Sequence, residues 1–272
     1  MKTLVLANQK GGVGKSAIAT QLAHYLHRIG RSVLVIDLDH QQNTSRPLQN
    51  NGSVSAASFS ASTIFEDETP PALPSSSFVL VAGDDKLSTL ERLPTQHNPF
   101  ASRFRAALQT WSRFDVCIVD TNPNPDIRYA AALISAQFVL APIQLNQEAI
   151  EGISGLFNHP RYGITRISAT LNPGLTLLGI LPNMVEPTPF QRTNLQLMMA
   201  KYAGRLLSRP REGGPHFGYI QKRSAVAEAQ AAGVFIPDMP KTAARDTWKE
   251  IKPVFDMVIE RLGLDASVEA SA

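Results

Sequence analysis

The chain has 272 residues, 43% of them hydrophobic and 18% charged, which suits one large domain with a sizeable core. Its single cysteine, Cys117, excludes an internal disulfide and any multi-thiolate metal or iron–sulfur site, and no apolar run approaches the ~18 residues of a membrane span. A formal charge of +3 names no partner by itself, so the distribution of charge carries the information. The sequence enters an apolar stretch at once, without a charged n-region and an apolar h-region, and a cytoplasmic location is expected.

Residues 4 to 7 read as a buried strand, Gly11, Gly12 and Gly14 as a loop, and Lys15-Ser16 as the opening of a helix. Strand, glycine-rich loop and helix in that order make a phosphate-binding loop. Glycines permit positive φ and close approach, so consecutive N–H groups turn toward phosphate oxygens beside the positive end of a helix. Gly11, Gly12, Val13, Gly14, Lys15, Ser16 and Ala17 are therefore the expected phosphate cradle. Lys15 is expected to reach the β- and γ-phosphates, and the Ser16 hydroxyl to reach Mg²⁺.

Ile18, Leu22, Tyr25, Leu26 and Ile29 recur at helical spacing and end at Gly30. Residues 32 to 39 form a continuous apolar run, a strand buried on both faces, carrying Asp37 and Asp39 at its end. From 43 to about 77 the chain turns to Ser, Ala, Asn and Pro, and a long surface excursion is expected there. Strands follow at 78–82, 115–120, 138–143 and 177–183, with helical segments at 87–93, 100–111 and 147–157. Thr188 and Pro189 read as N-cap and first residue of a helix to about Tyr202. Residues 216–220 are a further candidate strand, and Trp248 to Leu262 a last helix kinked at Pro253.

Strands alternating with helices predict an α/β fold, a single P-loop NTPase domain with a mostly parallel sheet covered by helices on both faces. The domain is expected over 1–265, with 266–272 a disordered polar tail. Ligands bind such sheets beyond the strand C-termini, where Lys10 to Ser16, Asp37, Asp39 and Asp120 all fall.

The loop departs from the generic phosphate-binding pattern: Gln9 stands where that pattern has glycine, and Lys10 precedes the paired glycines. The resulting K-G-G-V-G-K-S resembles the deviant Walker A motif of the ParA/MinD family of dimeric ATPases. The likeness continues in I-V-D-T-N-P-N, V-L-A-P-I-Q, G-I-L-P-N-M and the 219–236 segment, nearly the whole chain. By this resemblance Asp120 is the Walker B carboxylate holding Mg²⁺, Asp39 orients the attacking water and Asp37 supports the metal side. Lys10 would reach across an ATP-dependent homodimer into the partner's site. Asn183 and the turn from Ile236 to Met239, with Pro237 and Asp238, are candidates for the adenine side. A strand-end cap or turn also explains Asp37, Asp39, Asn183 and the 236–239 turn. Ser16-Ala17 in place of Thr-Thr, His40, Asn122 and Gln221 depart from the family pattern.

Between Arg192 and Arg223 the seven basic residues Arg192, Lys201, Arg205, Arg209, Arg211, Lys222 and Arg223 face one acid, Glu212. A solvated helix face is the plain reading. The resemblance adds a nonspecific double-stranded DNA surface, with Arg192, Lys201, Arg205, Lys222 and Arg223 as contacts. It further implies a nucleoid-associated partition ATPase, released from DNA when a ParB-like centromere-binding protein stimulates hydrolysis. With the first strand expected from residue 3, no N-terminal helix-turn-helix is expected. The alternatives are a MinD-like ATPase acting on a membrane and one that positions a protein assembly. The polar, acidic end G-L-D-A-S-V-E-A-S-A argues against a membrane partner.

Overall fold

A computed structural model describes residues 1–264; the expected tail at 266–272 lies outside the described residues. The first half runs β1 (Lys2–Leu6), α1 (Lys15–Arg28), β2 (Val33–Asp37), α2 (Ser45–Gln49), β3 (Ser55–Ser60), α3 (Thr63–Glu66), β4 (Phe78–Ala82), α4 (His97–Thr110) and β5 (Val116–Asp120). It continues through α5 (Ile127–Ser135), β6 (Phe138–Ile143), α6 (Gln147–Asn158), α7 (Ile164–Thr170) and β7 (Thr176–Pro182). The last part holds α8 (Pro189–Tyr202), the two-residue strands β8 (Ser208–Arg209) and β9 (His216–Phe217), α9 (Ser224–Ala232) and α10 (Thr242–Arg261).

Seven strands pair in the order β3-β4-β2-β5-β1-β6-β7, every pair parallel. The apolar runs explain this arrangement. Each central strand is buried on both faces, and alternate residues serve opposite cores. Val5, Leu34, Ile36, Cys117 and Val119 join a core with α4, α5 and α7, while Leu4, Leu6, Val33, Val35, Val116 and Ile118 join one with α1, α9 and α10. β1 lies between β5 and β6, so the loop after it emerges at the centre of the sheet's C-terminal edge. In register, Leu6 pairs with Asp120 and Asp37 pairs with Asp120 from the other side.

Several expectations need correcting. The 43–77 segment is not only a surface excursion: it supplies α2, the edge strand β3 and α3. β3 alternates half-buried with exposed residues, S-A-A-S-F-S, because an edge strand covers only one face. The 216–220 strand does not join the main sheet as a strand. His216 and Phe217 pair antiparallel with Ser208 and Arg209, and Ile220 only docks its N–H on Pro182 O at 2.9 Å. Helices α5, α7 and α9 are not among the elements expected from the sequence. By contrast, Pro253 lies inside the expected last helix, α10, and Thr188 caps α8 as expected, its Oγ1 accepting from the Gln191 N–H.

Candidate nucleotide and metal site

The strand C-termini open onto a cavity of about 940 Å³. Its floor is the loop 11–18, and its walls include Asp39, Gln41, Asn43, Asn183, Met184, Glu186, Ile220 to Ser224, Ile236, Ile251 and Phe255. Gly12 and Gly14 take φ of 74° and 85°, the left-handed region that glycine enters without strain. Side chains from neighbouring strand ends fix the loop. The Gln144 Nε2 donates to Gly12 O at 2.9 Å, and the Asn183 Nδ2 donates to Val13 O at 2.8 Å. With those carbonyls engaged, the first-turn N–H groups of α1, which have no intrahelical acceptor, remain for an anion.

Lys15 is buried, and its Nζ donates to Asn8 O at 3.2 Å and Lys10 O at 3.4 Å. The lysine is thus curled over the loop backbone. Burial pushes its ammonium below the ordinary lysine range, opposed by the charges of Asp120 and Asp39.

Asp120 ends β5 with no exposed surface. Its Oδ2 accepts from both the Ser16 hydroxyl and the Thr44 hydroxyl, each at 2.7 Å, while its buried Oδ1 has no partner among the described residues. Asp37, equally buried, accepts the Ser45 N–H at 2.9 Å and hydroxyl at 2.7 Å on Oδ2, and the Asp39 N–H at 3.0 Å on Oδ1. Burial and the neighbouring Asp120 charge push the Asp37 carboxyl up to about 7, with the Ser45 and Asp39 donors pulling the other way. Burial raises Asp120 too, against the Ser16 hydroxyl, Lys15 and Thr44. The site is short of positive charge. A hard divalent cation corrects that shortage, and two carboxylates, a hydroxyl and phosphate oxygens are the donors Mg²⁺ takes; the residues present fit it.

Asp39 lies just past β2, its Oδ1 accepting the Gln41 N–H at 3.0 Å and lying 3.5 Å from His40 Nδ1. Lys10 is half-buried, its N–H on Asn8 Oδ1 at 2.8 Å. A Cβ placed on Gly152 of α6 would come within 3.5 Å of Lys10 Cε, so the side chain lies along that helix.

Thus Gly11 to Ala17, Asp39 and Asn183 come together at one cavity, with Asp37 and Asp120 at the strand ends beneath it. Pro237 and Asp238 do not line it. The wall reaches Ile236, whose N–H bonds Gln21 Oε1 at 2.9 Å, while Asp238 turns outward to Arg28 at 2.6 Å. The basic segment is also less uniform than its sequence. Lys222 pairs with Glu186 at 2.6 Å and Arg223 with Glu250 at 2.7 Å, both at the cavity wall, and Arg209 pairs with Glu260 at 2.5 Å. Carboxylates distant in sequence account for the difference. Arg192, Lys201 and Arg205 are exposed and form no ion pair among the described residues; Arg205 rests on the Phe157 ring and Lys201 on Tyr202.

Sequence reasoning missed Thr44, Ser45 and Gln144. The first two sit in the polar stretch after Asp39, where hydroxyls look like loop residues. Gln42 and Met184 have positive φ without being glycine, and each stands beside a site residue, a form of strain that collects at functional loops.

Comparison with known proteins agrees with this geometry. The AAA domain family (AAA_31) matches residues 1–177. Protein IncC of Escherichia coli is 32% identical, with 96% of this chain and 70% of the relative covered. The chromosome-partitioning ATPase Soj of Thermus thermophilus is 33% identical over 68% of this chain and 70% of its own. A variant of Cyanothece McdA in complex with ATP shares the fold at a TM-score of 0.77 and 22% identity, covering 99% of both chains. With a two-lysine loop at the centre of a parallel sheet and relatives matched over 68% to 96% of its length, this chain belongs to the ParA/MinD family of P-loop ATPases.

Proposed function

We propose that the chain is a Mg²⁺-dependent DNA partition ATPase whose ATP-bound homodimer holds nonspecific duplex DNA and lets go when a ParB-like protein stimulates hydrolysis. The observation that carries the reading is the convergence of the Ser16 and Thr44 hydroxyls on one oxygen of Asp120, with the other oxygen buried and bare. Phosphoryl transfer to water needs the phosphate charge neutralised and a water aligned in line with the breaking bond. Ser16, Asp120 and Asp37 would hold Mg²⁺, which would supply charge neutralisation and orientation of the phosphates. Lys15 and the 11–17 amides bind the β- and γ-phosphates. Asp39 orients the attacking water from the open side of the cavity.

Lys10 acts in the partner's site, so hydrolysis waits for dimerisation. Its ammonium there stabilises charge as an arginine finger does. Asn183 and Ile236 border the adenine. Arg192, Lys201 and Arg205 provide the DNA contacts, with Lys222 and Arg223 beside the cavity tied to Glu186 and Glu250. On this reading the protein works in the cytoplasm, on the nucleoid. No helix among the described residues is long and apolar enough to cross a membrane.

The test is duplex DNA binding with ADP, with ATP, and with ATP on Asp39→Ala, at two salt concentrations. Binding that requires ATP, persists in Asp39→Ala and weakens steeply with salt supports the reading. Equal binding with ADP and ATP refutes the switch.

A further inference from the structure

Arg128 is almost fully buried on the first turn of α5, a costly place for a guanidinium that hydrophobic packing would fill as well. Its contacts are specific. Nε and Nη2 donate to Asp126 Oδ2 at 3.0 and 2.5 Å, and Nη1 reaches the carbonyl oxygen of Leu38 at 3.3 Å. Asp126 is itself fixed. It caps α5 by accepting the Arg128 and Tyr129 N–H groups, and its Oδ2 also accepts from Asn122 Nδ2 at 3.0 Å. The Leu38 N–H meanwhile donates to Asp120 O at 2.9 Å. Leu38 is therefore held on one side by the end of β5 and on the other by Arg128, and the next residue is Asp39.

We propose that Arg128 is a positioning residue: braced by Asp126, it clamps the Leu38 carbonyl and so sets where the Asp39 carboxylate stands relative to Asp120. The proposal rests on Asp39 being the water-orienting group. This one side chain ties the start of α5 to the residue before Asp39, on the opposite side of Leu38 from its N–H bond to Asp120 O. A guanidinium alone can chelate the carboxylate and still extend a third N–H; a lysine ammonium on a shorter reach cannot do both. Misplacing a group that aligns a reactant by about 1 Å lowers turnover by roughly 100-fold while leaving binding intact.

The experiment compares wild type, Arg128→Lys, Asp39→Asn and the double variant. Steady-state ATPase, affinity for a fluorescent ATP analogue and backbone hydrogen exchange are read on each. Arg128→Lys is expected to lower kcat about 10- to 100-fold with nucleotide affinity changed less than about threefold, and to speed exchange in residues 38–41. On the Asp39→Asn background the same substitution is expected to lower turnover less than about twofold, because both act at one point. Unchanged turnover with unchanged exchange overturns the clamp, and so does an equal loss in both backgrounds. Should Asp39→Asn hydrolyse ATP at the wild-type rate, the water-orienting reading fails, while faster exchange at 38–41 in Arg128→Lys still establishes the clamp itself. If Arg128→Lys does not fold, Asp126→Asn, which keeps an N-capping oxygen but removes the charge bracing Arg128, is read in the same way.

Discussion

Replacing Thr44 by valine tests the centre of the site with little change of shape. Thr44 has no exposed surface, and its hydroxyl supplies one of the two hydrogen bonds on Asp120 Oδ2, at 2.7 Å. Valine fills the same volume, so no cavity term enters, and no water reaches the carboxylate to replace the lost donor. A hydrogen bond to a charged acceptor contributes about 1.5–3 kcal/mol, and its loss here falls wholly on a buried acid whose other oxygen is already bare. With a urea m-value of about 3 kcal/mol/M, the unfolding midpoint should drop by about 0.5–1 M at unchanged slope. Circular dichroism at pH 7.5 without nucleotide is the assay. A midpoint within about 0.1 M of wild type means that the hydroxyl does not serve the Asp120 carboxylate in solution, and the argument from convergent hydroxyls fails with it.

Gly14→Ala forces a side chain into φ of 85° with its Cβ 2.3 Å from Asn183 Nδ2; the left-handed cost of about 1–2 kcal/mol and the displaced Asn183 bond should weaken ATP binding at least about tenfold by calorimetry, and retained affinity refutes the packing argument. His24, pushed down to about 4 by burial, faces Asp238, which favours its charge, and His27 and Arg28, which oppose it. The folded state holds the neutral ring while the unfolded chain protonates near 6.5, so stability is complete above pH 6.5 and falls toward pH 4 by on the order of 2–3 kcal/mol. His24→Phe should flatten that profile between pH 7 and 4; an equally steep profile assigns the acid sensitivity elsewhere. Arg192→Ala, Lys201→Ala and Arg205→Ala should each lower the log–log salt slope of DNA binding by about 0.9, and Arg209→Ala, tied to Glu260, by much less. Four equal slopes would place the DNA surface elsewhere.

The parts of the fold visible in the sequence are those where one residue pattern has one physical solution. Runs such as V-L-V-I-D and V-C-I-V-D are buried on both faces, and only a central parallel strand accommodates them. The glycine-and-lysine loop was legible because positive φ at positions 12 and 14 calls for glycine and phosphate chemistry calls for the lysine that follows. β3 was not, since S-A-A-S-F-S at a sheet edge has a polar strand's composition. α5, buried almost all round in I-R-Y-A-A-A-L-I-S, shows no polar stripe to mark it as helical. Thr44 and Ser45 are ordinary loop residues until the fold brings them to Asp120 and Asp37. The ion pairs of Asp238, Lys222 and Arg223 were not legible either, because a charge in a linear string carries no record of the carboxylate or guanidinium it meets.

The nucleotide cavity is a seam between distant parts of the chain. Its floor comes from residues 11–18, while Ile220 to Ser224, Ile236, Ile251 and Phe255 wall it from the last quarter, and the AAA domain match stops at residue 177. A molecule seated there touches both margins at once. At a hundred times its dissociation constant it adds about 2.7 kcal/mol to whatever conformation keeps them apposed. The C-terminal quarter therefore works as a hasp across the opening, set opposite the loop of residues 11–18.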